Sequence, residues 1–491
     1  MADFATPEWV KHAVFYHIFP DRFAKSDRVS KPSNVEPWDS EPTEHGYKGG
    51  DLLGVVERLD YLQDLGITAL YFNPIFQSAS NHGYHTHDYM QVDPLLGGDS
   101  AFRTMLAECQ GRDIRVVLDG VFNHCSRGFY QFNDVLENGA SSPWLDWFHF
   151  DNHPANAYEH SRPPGYRAWY NLHALPVFNT DNPMVREYLM RIAEHWVEEG
   201  IDGWRLDVPN EIKSEGFWEE FRERIKRVNP EAYIVGELWG ESRAWLQGDR
   251  FDAVMNYVFT DSVISFVSGE RTRPELVSGM GYKPWPPRSG VEYADRIDWL
   301  LEMYPREVTL AQLNLLGSHD TARILTIAGG DEASVRLAVL LLFTFPGAPS
   351  IYYGDEIGLT GGRPDRLARK SFPWDHPESW NTSLLELHRE LISLRKREPA
   401  LRTGDYTRLL ATEDVYVLAR TLSGRGLIVA VNVAESPRQV QVPLDGLTIA
   451  TGEPVVIFGS AEVRQTAPSA LSLDLPPREG VVVVVSLNRA G

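Results

Sequence analysis

The 491-residue chain carries 47 Lys and Arg against 68 Asp and Glu, a net charge of −21, with 43% hydrophobic residues and only two cysteines, Cys109 and Cys125. Such a surface repels nucleic acid and anionic membranes and suits a neutral substrate, no apolar run approaches the ~18 residues of a membrane span, and two cysteines build no disulfide framework. The segment Met1 to Lys11 lacks the apolar core of a secretory leader, so the expectation is a soluble, cytoplasmic protein.

Eight short β-rich runs follow one another: Val14–Phe19, Ile67–Asn73, Ile114–Asp119, Ile201–Asp207, Ala232–Leu238, Phe251–Tyr257, Leu313–His319 and Ser350–Glu356. Helical patterns lie between most of them. Asp51 to Leu65 has Leu52, Val55, Val56, Leu59, Leu62 and Leu65 near the 3.6 period, with Gly66 as a stop. Asp99–Glu108, Pro183–Glu199, Phe217–Val228, Glu332–Phe345 and Ser383–Arg397 read the same way. Strands alternating with helices predict a parallel sheet, and eight repeats predict an α/β fold of the closed (β/α)₈, or TIM, barrel type. An open doubly wound sheet is the alternative, and no Gly-x-Gly-x-x-Gly turn follows the first run.

The gap from Asp119 to Ile201 is far longer than one helix needs. The extra segment, rich in Trp, Tyr, Phe, Asn, His and Pro, predicts an inserted subdomain over residues 123–180, after the third strand. Its aromatics suit a small core of their own, with one or two left as sugar-stacking platforms. The barrel then occupies 1–122 and 181–398. After Pro399 no helical period survives; Val415–Arg420, Leu427–Asn432, Arg438–Val442, Pro454–Phe458 and Val481–Ser486 predict a C-terminal all-β sandwich over 399–491.

Polar residues at strand C-termini are where a barrel keeps its chemistry. Here those ends read Asp119-Gly120-Val121-Phe122-Asn123-His124, Arg205-Leu206-Asp207, Glu237-Leu238-Trp239 and Ser318-His319-Asp320. Asp207 and Glu237 lie one strand–helix unit apart, so neighbouring parallel strands place both carboxylates on one rim. Glycosidic cleavage needs such a pair, one to attack and one to donate a proton. Arg205 precedes Asp207 by two positions and shares its side of the strand, where its charge favours ionised Asp207. Glu237 must instead be protonated, which requires burial or nearby anions.

Together with Tyr16-His17-Ile18-Phe19-Pro20-Asp21-Arg22-Phe23, Tyr84 with Asp88 and Tyr89, and Tyr352-Tyr353-Gly354-Asp355-Glu356, these segments resemble the α-amylase superfamily of glycoside hydrolases. Asn210-Glu211 and Gly49-Gly50-Asp51-Leu52 point to its cyclomaltodextrinase, neopullulanase and maltogenic amylase subfamily. The resemblance implies Asp207 as nucleophile, Glu237 as general acid and base, and Asp320 as a grip on substrate hydroxyls. It implies substrate contacts from Tyr84, His124, Arg205, His319, Asn210, Glu211, Trp239 and Arg323. The implied substrates are cyclic or short linear α-glucans joined α-1,4, with α-1,6 links and cyclic maltosyl-maltose within range, and with transglycosylation as the alternative outcome.

The chain departs from that pattern in three ways. Leu175-Pro176-Val177-Phe178-Asn179 stands where the subfamily has Met-Pro-Lys-Leu-Asn, and His85 stands where it has aspartate. The subfamily's N-terminal β domain has no counterpart before Val14, which leaves a monomer and a homodimer both open. No cofactor or metal is implied, and calcium stays open: Asp21, Asp27, Asn34, Asp39 and Asp51 are nearby oxygen donors without EF-hand spacing. Two other classes compete: a zinc metallohydrolase using His85-Thr86-His87 and His319-Asp320, and a scaffold without catalysis.

Overall fold

Eight stretches of two to six residues, buried except at the first residue of the third, form one parallel sheet: Phe15–Ile18, Ala69–Phe72, Arg115–Gly120, Gly203–Leu206, Tyr233–Gly236, Ala253–Val254, Leu313–Leu315 and Ala348–Tyr352. They are called strands one to eight. The structure, a computed structural model, describes residues 4–151, 155–279, 281–444, 446–450 and 453–488. Parts of the spans expected above, residues 1–3, 152–154 and 489–491 among them, lie outside the described residues.

The strand order is six, five, four, three, two, one, eight, seven. A parallel bridge between Met255 and Leu313, with Asn256 N–H on Leu313 O at 2.8 Å, joins strand six to strand seven and completes the ring. Continuous burial explains why these strands read as mostly apolar runs rather than alternating ones, broken by His17, Asp119, Arg205 and Asn314. The barrel is the (β/α)₈ type expected from the sequence.

The helices follow the apolar periods closely, as at Pro183–Glu198, Phe217–Val228 and Thr382–Arg397. One expected helix is two. Asp51 caps Leu52–Val56 by accepting from Gly54 N–H at 2.7 Å. At Arg58 the ladder tightens, its N–H bonding Val55 O, and a second helix runs Leu59–Leu65 before Gly66 ends it with φ 98°. The apolar spacing survives this break, so the periodicity alone does not reveal it.

Past residue 397 the expectation also needs correction. Pro399–Thr403 is a short helix with Pro at its first position. Among the described residues eight antiparallel strands then form a five-stranded and a three-stranded sheet. Asp405–Ala411, Glu462–Ala467 and Ala470–Leu475 are strands beyond those expected; the first is largely half-buried and the second mostly exposed.

Among the described residues of 123–180, Phe132, Trp147, Phe148, Tyr166 and Phe178 are buried, whereas Tyr158 and Tyr170 are 65% and 80% exposed. Bridges from His124 to Val177 and from Ala168 to Pro176 fold this segment back over the mouth of strand three.

Candidate active site

Asp207 and Glu237 are the first residues past strands four and five. Strand four directs Arg205 to the same side as Asp207, and that guanidinium, wholly buried, organises the site. Its Nη1 lies 2.8 and 2.9 Å from the two Asp119 oxygens and 3.1 Å from Asp207 Oδ1. Its Nη2 lies 2.9 Å from Glu237 Oε1, without hydrogen-bond alignment. Glu237 Oε2 accepts from the Val208 N–H at 3.1 Å. Val208 takes φ 35°, a left-handed conformation unusual for a β-branched residue, and this strained turn follows Asp207 directly.

Asp320 reaches the same group through side chains. Its Oδ2 is 3.2 Å from His319 Nε2, and that nitrogen is 2.8 Å from the Tyr84 hydroxyl. Tyr84 donates to Asp119 Oδ2 at 2.7 Å, as Tyr71 does at 3.0 Å. The Tyr84 and His319 rings stack at 5.4 Å. The three acids foreseen in the sequence therefore converge on one mouth.

One cation facing three buried carboxylates sets the proton balance. Burial pushes Glu237 up to about 7, against the pull of Arg205. Burial, and next the Glu237 charge, also push Asp207 well above the ordinary carboxylate range, with Arg205 opposing. The expected pull of Arg205 on Asp207 is present but opposed: Arg205 makes its shortest hydrogen bonds to Asp119, and burial with the Glu237 charge favours protonated Asp207. Burial lowers His319 and His124, the latter to about 3, so both rings are neutral.

His124 stacks on Trp169 at 5.3 Å, and its buried Nε2 has no protein partner; neither has His319 Nδ1. Buried polar atoms of this kind suit ligand hydroxyls. Asn210 donates to Glu211, and Glu211 lines a cavity of about 360 Å³ with Asn123, Arg167, Trp169 and Tyr170. Trp239 stacks on Tyr257 at 3.8 Å. Arg323 does not join the group. It is buried against Asp355 at 2.7 Å and the Tyr353 and Ala368 carbonyls, a brace behind strand eight.

A large cavity of about 710 Å³ does not include Asp207, Glu237 or Asp320 in its lining. It is lined by His45, His82, His85, His87, Arg127 and Arg369 among others, and Arg369 connects it to the acids, with Nη2 3.3 Å from Asp320 Oδ1. Arg369, Tyr71 and Asp119 join the site beyond the residues expected to act on substrate. Asp119 carried the strand-end signal; Arg369 sits in an irregular loop and carried none.

Among the described residues no three His, Cys, Asp or Glu side chains gather in metal-binding geometry, and His85 and His87 face the large cavity. Asp21 and Asp51 are buried and taken by N–H donors, and Lys31 Nζ lies 3.1 Å from Asp51. Asp27, Asn34 and Asp39 are exposed. These five do not form a calcium shell. No described helix is long and apolar enough to cross a membrane.

A family profile described as "Alpha amylase, catalytic domain" matches residues 17–377. A Geobacillus thermopakistaniensis protein named cyclomaltodextrinase is 42% identical over 98% of this chain and 78% of its own length. The solved debranching enzyme from Nostoc punctiforme superposes with a TM-score of 0.89 at 54% identity, covering 98% of this chain and 99% of that one. A cyclic alpha-maltosyl-(1→6)-maltose hydrolase from Arthrobacter globiformis superposes at 0.85 with 36% identity, over 98% and 99%.

Proposed function

The chain belongs to the α-amylase family of glycoside hydrolases, and from that premise we propose that it is a retaining hydrolase of cyclic or short α-glucans, cleaving α-1,4 bonds by a double displacement. Asp207 attacks the anomeric carbon while the glycosidic C–O bond breaks, and Glu237 gives its proton to the departing oxygen. Water then attacks the glycosyl ester, Glu237 takes the water's proton, and Asp207 leaves as carboxylate. Asp320, His319, His124 and Tyr84 bind the ring's hydroxyls and face. Asn210, Glu211 and Trp239 border the acceptor side, where a sugar in place of water gives transglycosylation.

The observation that carries this reading is the shared guanidinium: Asp207 and Glu237 flank Arg205 at 3.1 and 2.9 Å, and burial favours the protonated form of Glu237. That is the protonation state in which one acid attacks and the other donates. Both cysteines are free and buried, in keeping with a reducing compartment, and we assign the protein to the cytoplasm.

A second reading concerns linkage. The Nostoc neighbour is named a debranching enzyme and the Arthrobacter neighbour a hydrolase of a ring containing a 1→6 link. A cavity of about 710 Å³ beside Asp320 has room for a glucan chain, so α-1,6 cleavage belongs to the proposal. Products from cyclodextrins, pullulan, panose, soluble starch and cyclic maltosyl-maltose decide the linkage. Proton NMR of the first-formed sugar is expected to show retained configuration; inversion refutes the double displacement. Asp207→Asn is expected to lower kcat on the order of 10⁴-fold with the fold intact, and near-normal turnover in that variant ends the assignment.

A further inference from the structure

Residues 36–47 form a loop without helix or strand, closed by Glu36 N–H on Tyr47 O at 2.8 Å. Loops of this length usually pack on their own side chains. This one carries four acids, Glu36, Asp39, Glu41 and Glu44, and its tryptophan turns elsewhere, Trp38 Nε1 donating to Phe372 O at 2.8 Å.

The centre of the loop is the ammonium of Lys48, a residue only 1% exposed. Its Nζ lies 2.9 Å from Pro37 O, 2.7 Å from Ser40 O, 2.6 Å from Ser40 Oγ and 3.2 Å from Glu36 Oε2. Carbonyls, a hydroxyl and a carboxylate are the oxygen set that a hard cation takes. A buried ammonium persists only when so surrounded. The chain continues the anchoring: Lys48 and Gly49 N–H donate to Asp21, and Arg22 beside it donates to Gly46 O at 2.8 Å. At the far end Glu44 and His45 wall the large cavity, and Asn81 Nδ2 donates to Glu44 O at 3.1 Å and Gly46 O at 2.9 Å.

We propose that Lys48 is a positioning residue: a built-in cation that holds loop 36–47 as a wall of the cavity and lets that wall stand without a bound metal. What the cavity receives rests on the α-glucan reading above; the role of Lys48 does not.

Lys48→Met keeps the aliphatic stem and removes the charge. It is expected to expose 36–47 to limited proteolysis and to raise KM for a long maltooligosaccharide about tenfold, with kcat within about twofold. Lys48→Ala is expected to regain loop protection with added methylammonium, and the untreated wild-type loop to stay protected in chelator. Wild-type protection and KM in Lys48→Met overturn the proposal, as do failure of the amine to restore Lys48→Ala and opening of the wild-type loop by chelator. Loop cleavage is read without substrate, so a chain that hydrolyses no glucan would sink the functional reading and leave this one standing.

Discussion

One guanidinium against three carboxylates makes the proton count of this site a matter of charge balance. The working state holds one proton on the Asp207 and Glu237 pair. Glu237, pushed up to about 7, loses it as pH rises through that value. We therefore expect kcat/KM to fall about tenfold per pH unit above roughly 7, and to fall again on the acid side as Asp207, also raised by burial, gains a second proton. A profile flat to pH 9 contradicts this assignment. At this scale the sequence was legible where one strand end carries one charged side chain, as with Asp207, Glu237 and Asp320. It was not legible where a role arises across the barrel. Asp119 matters through what Arg205 does with its hydrogen bonds, Arg369 through a loop that packs it onto Asp320, and Arg323, implied as a substrate contact by the resemblance, is instead held by Asp355 and two carbonyls.

Secondary structure was easiest to read where burial is uniform or strictly periodic, and hardest where an element is short, broken or exposed. The eight barrel strands announce themselves because both faces are covered; the strand Glu462–Ala467 does not, because nearly all of it faces water. The turn after strand eight hides a different feature. Glu356 Oε1 accepts from Tyr16 on strand one and from Tyr61 on the helix Leu59–Leu65, each at 2.7 Å, while Oε2 is buried without a partner. Burial pushes this acid up to about 7. A carboxyl whose folded value exceeds its unfolded value holds its proton more tightly when folded, so stability falls as pH rises through the window from the ordinary glutamate range to about 7. Above it the buried charge costs about 3 kcal/mol. Glu356→Gln, which cannot ionise, is expected to melt above wild type at pH 8 and no higher than wild type at pH 5. Parallel pH dependence of the two melting temperatures contradicts the account.

The barrel and the five-stranded sheet share one core. Tyr416, Leu418, Leu427, Val429, Val431 and Val482 belong to the barrel's apolar cluster, while Val417, Ala419, Ile428, Ala430, Val481 and Val483, on alternate positions, build a second cluster toward the three-stranded sheet. The sheet is thus a two-sided wedge, and strand periodicity alone decides which core each residue enters. The helix Glu332–Thr344 lies against it so closely that a Cβ on Gly480 would come within 2.3 Å of Leu340 Cδ2. Two buried arginines fasten that joint. Arg395 donates to the carbonyls of Phe343, Phe345, Gly347 and Leu401, and Arg420 to those of Thr344, Leu401 and Gly404. These carbonyls include the last turn of the helix Glu332–Thr344, where a cation opposes the partial negative charge. Replacing Arg420 by Met fills similar space but leaves the Thr344 and Gly404 carbonyls without their charged donor, while Leu401 O keeps Arg395, a loss of about 3 kcal/mol. Arg420 touches none of the residues around Arg205, so Arg420→Met is expected to lower the melting temperature by several degrees while kcat at 20 °C, on the order of room temperature, stays at the wild-type value. An unchanged melting temperature would show that the sheet is held to the barrel by its apolar face alone.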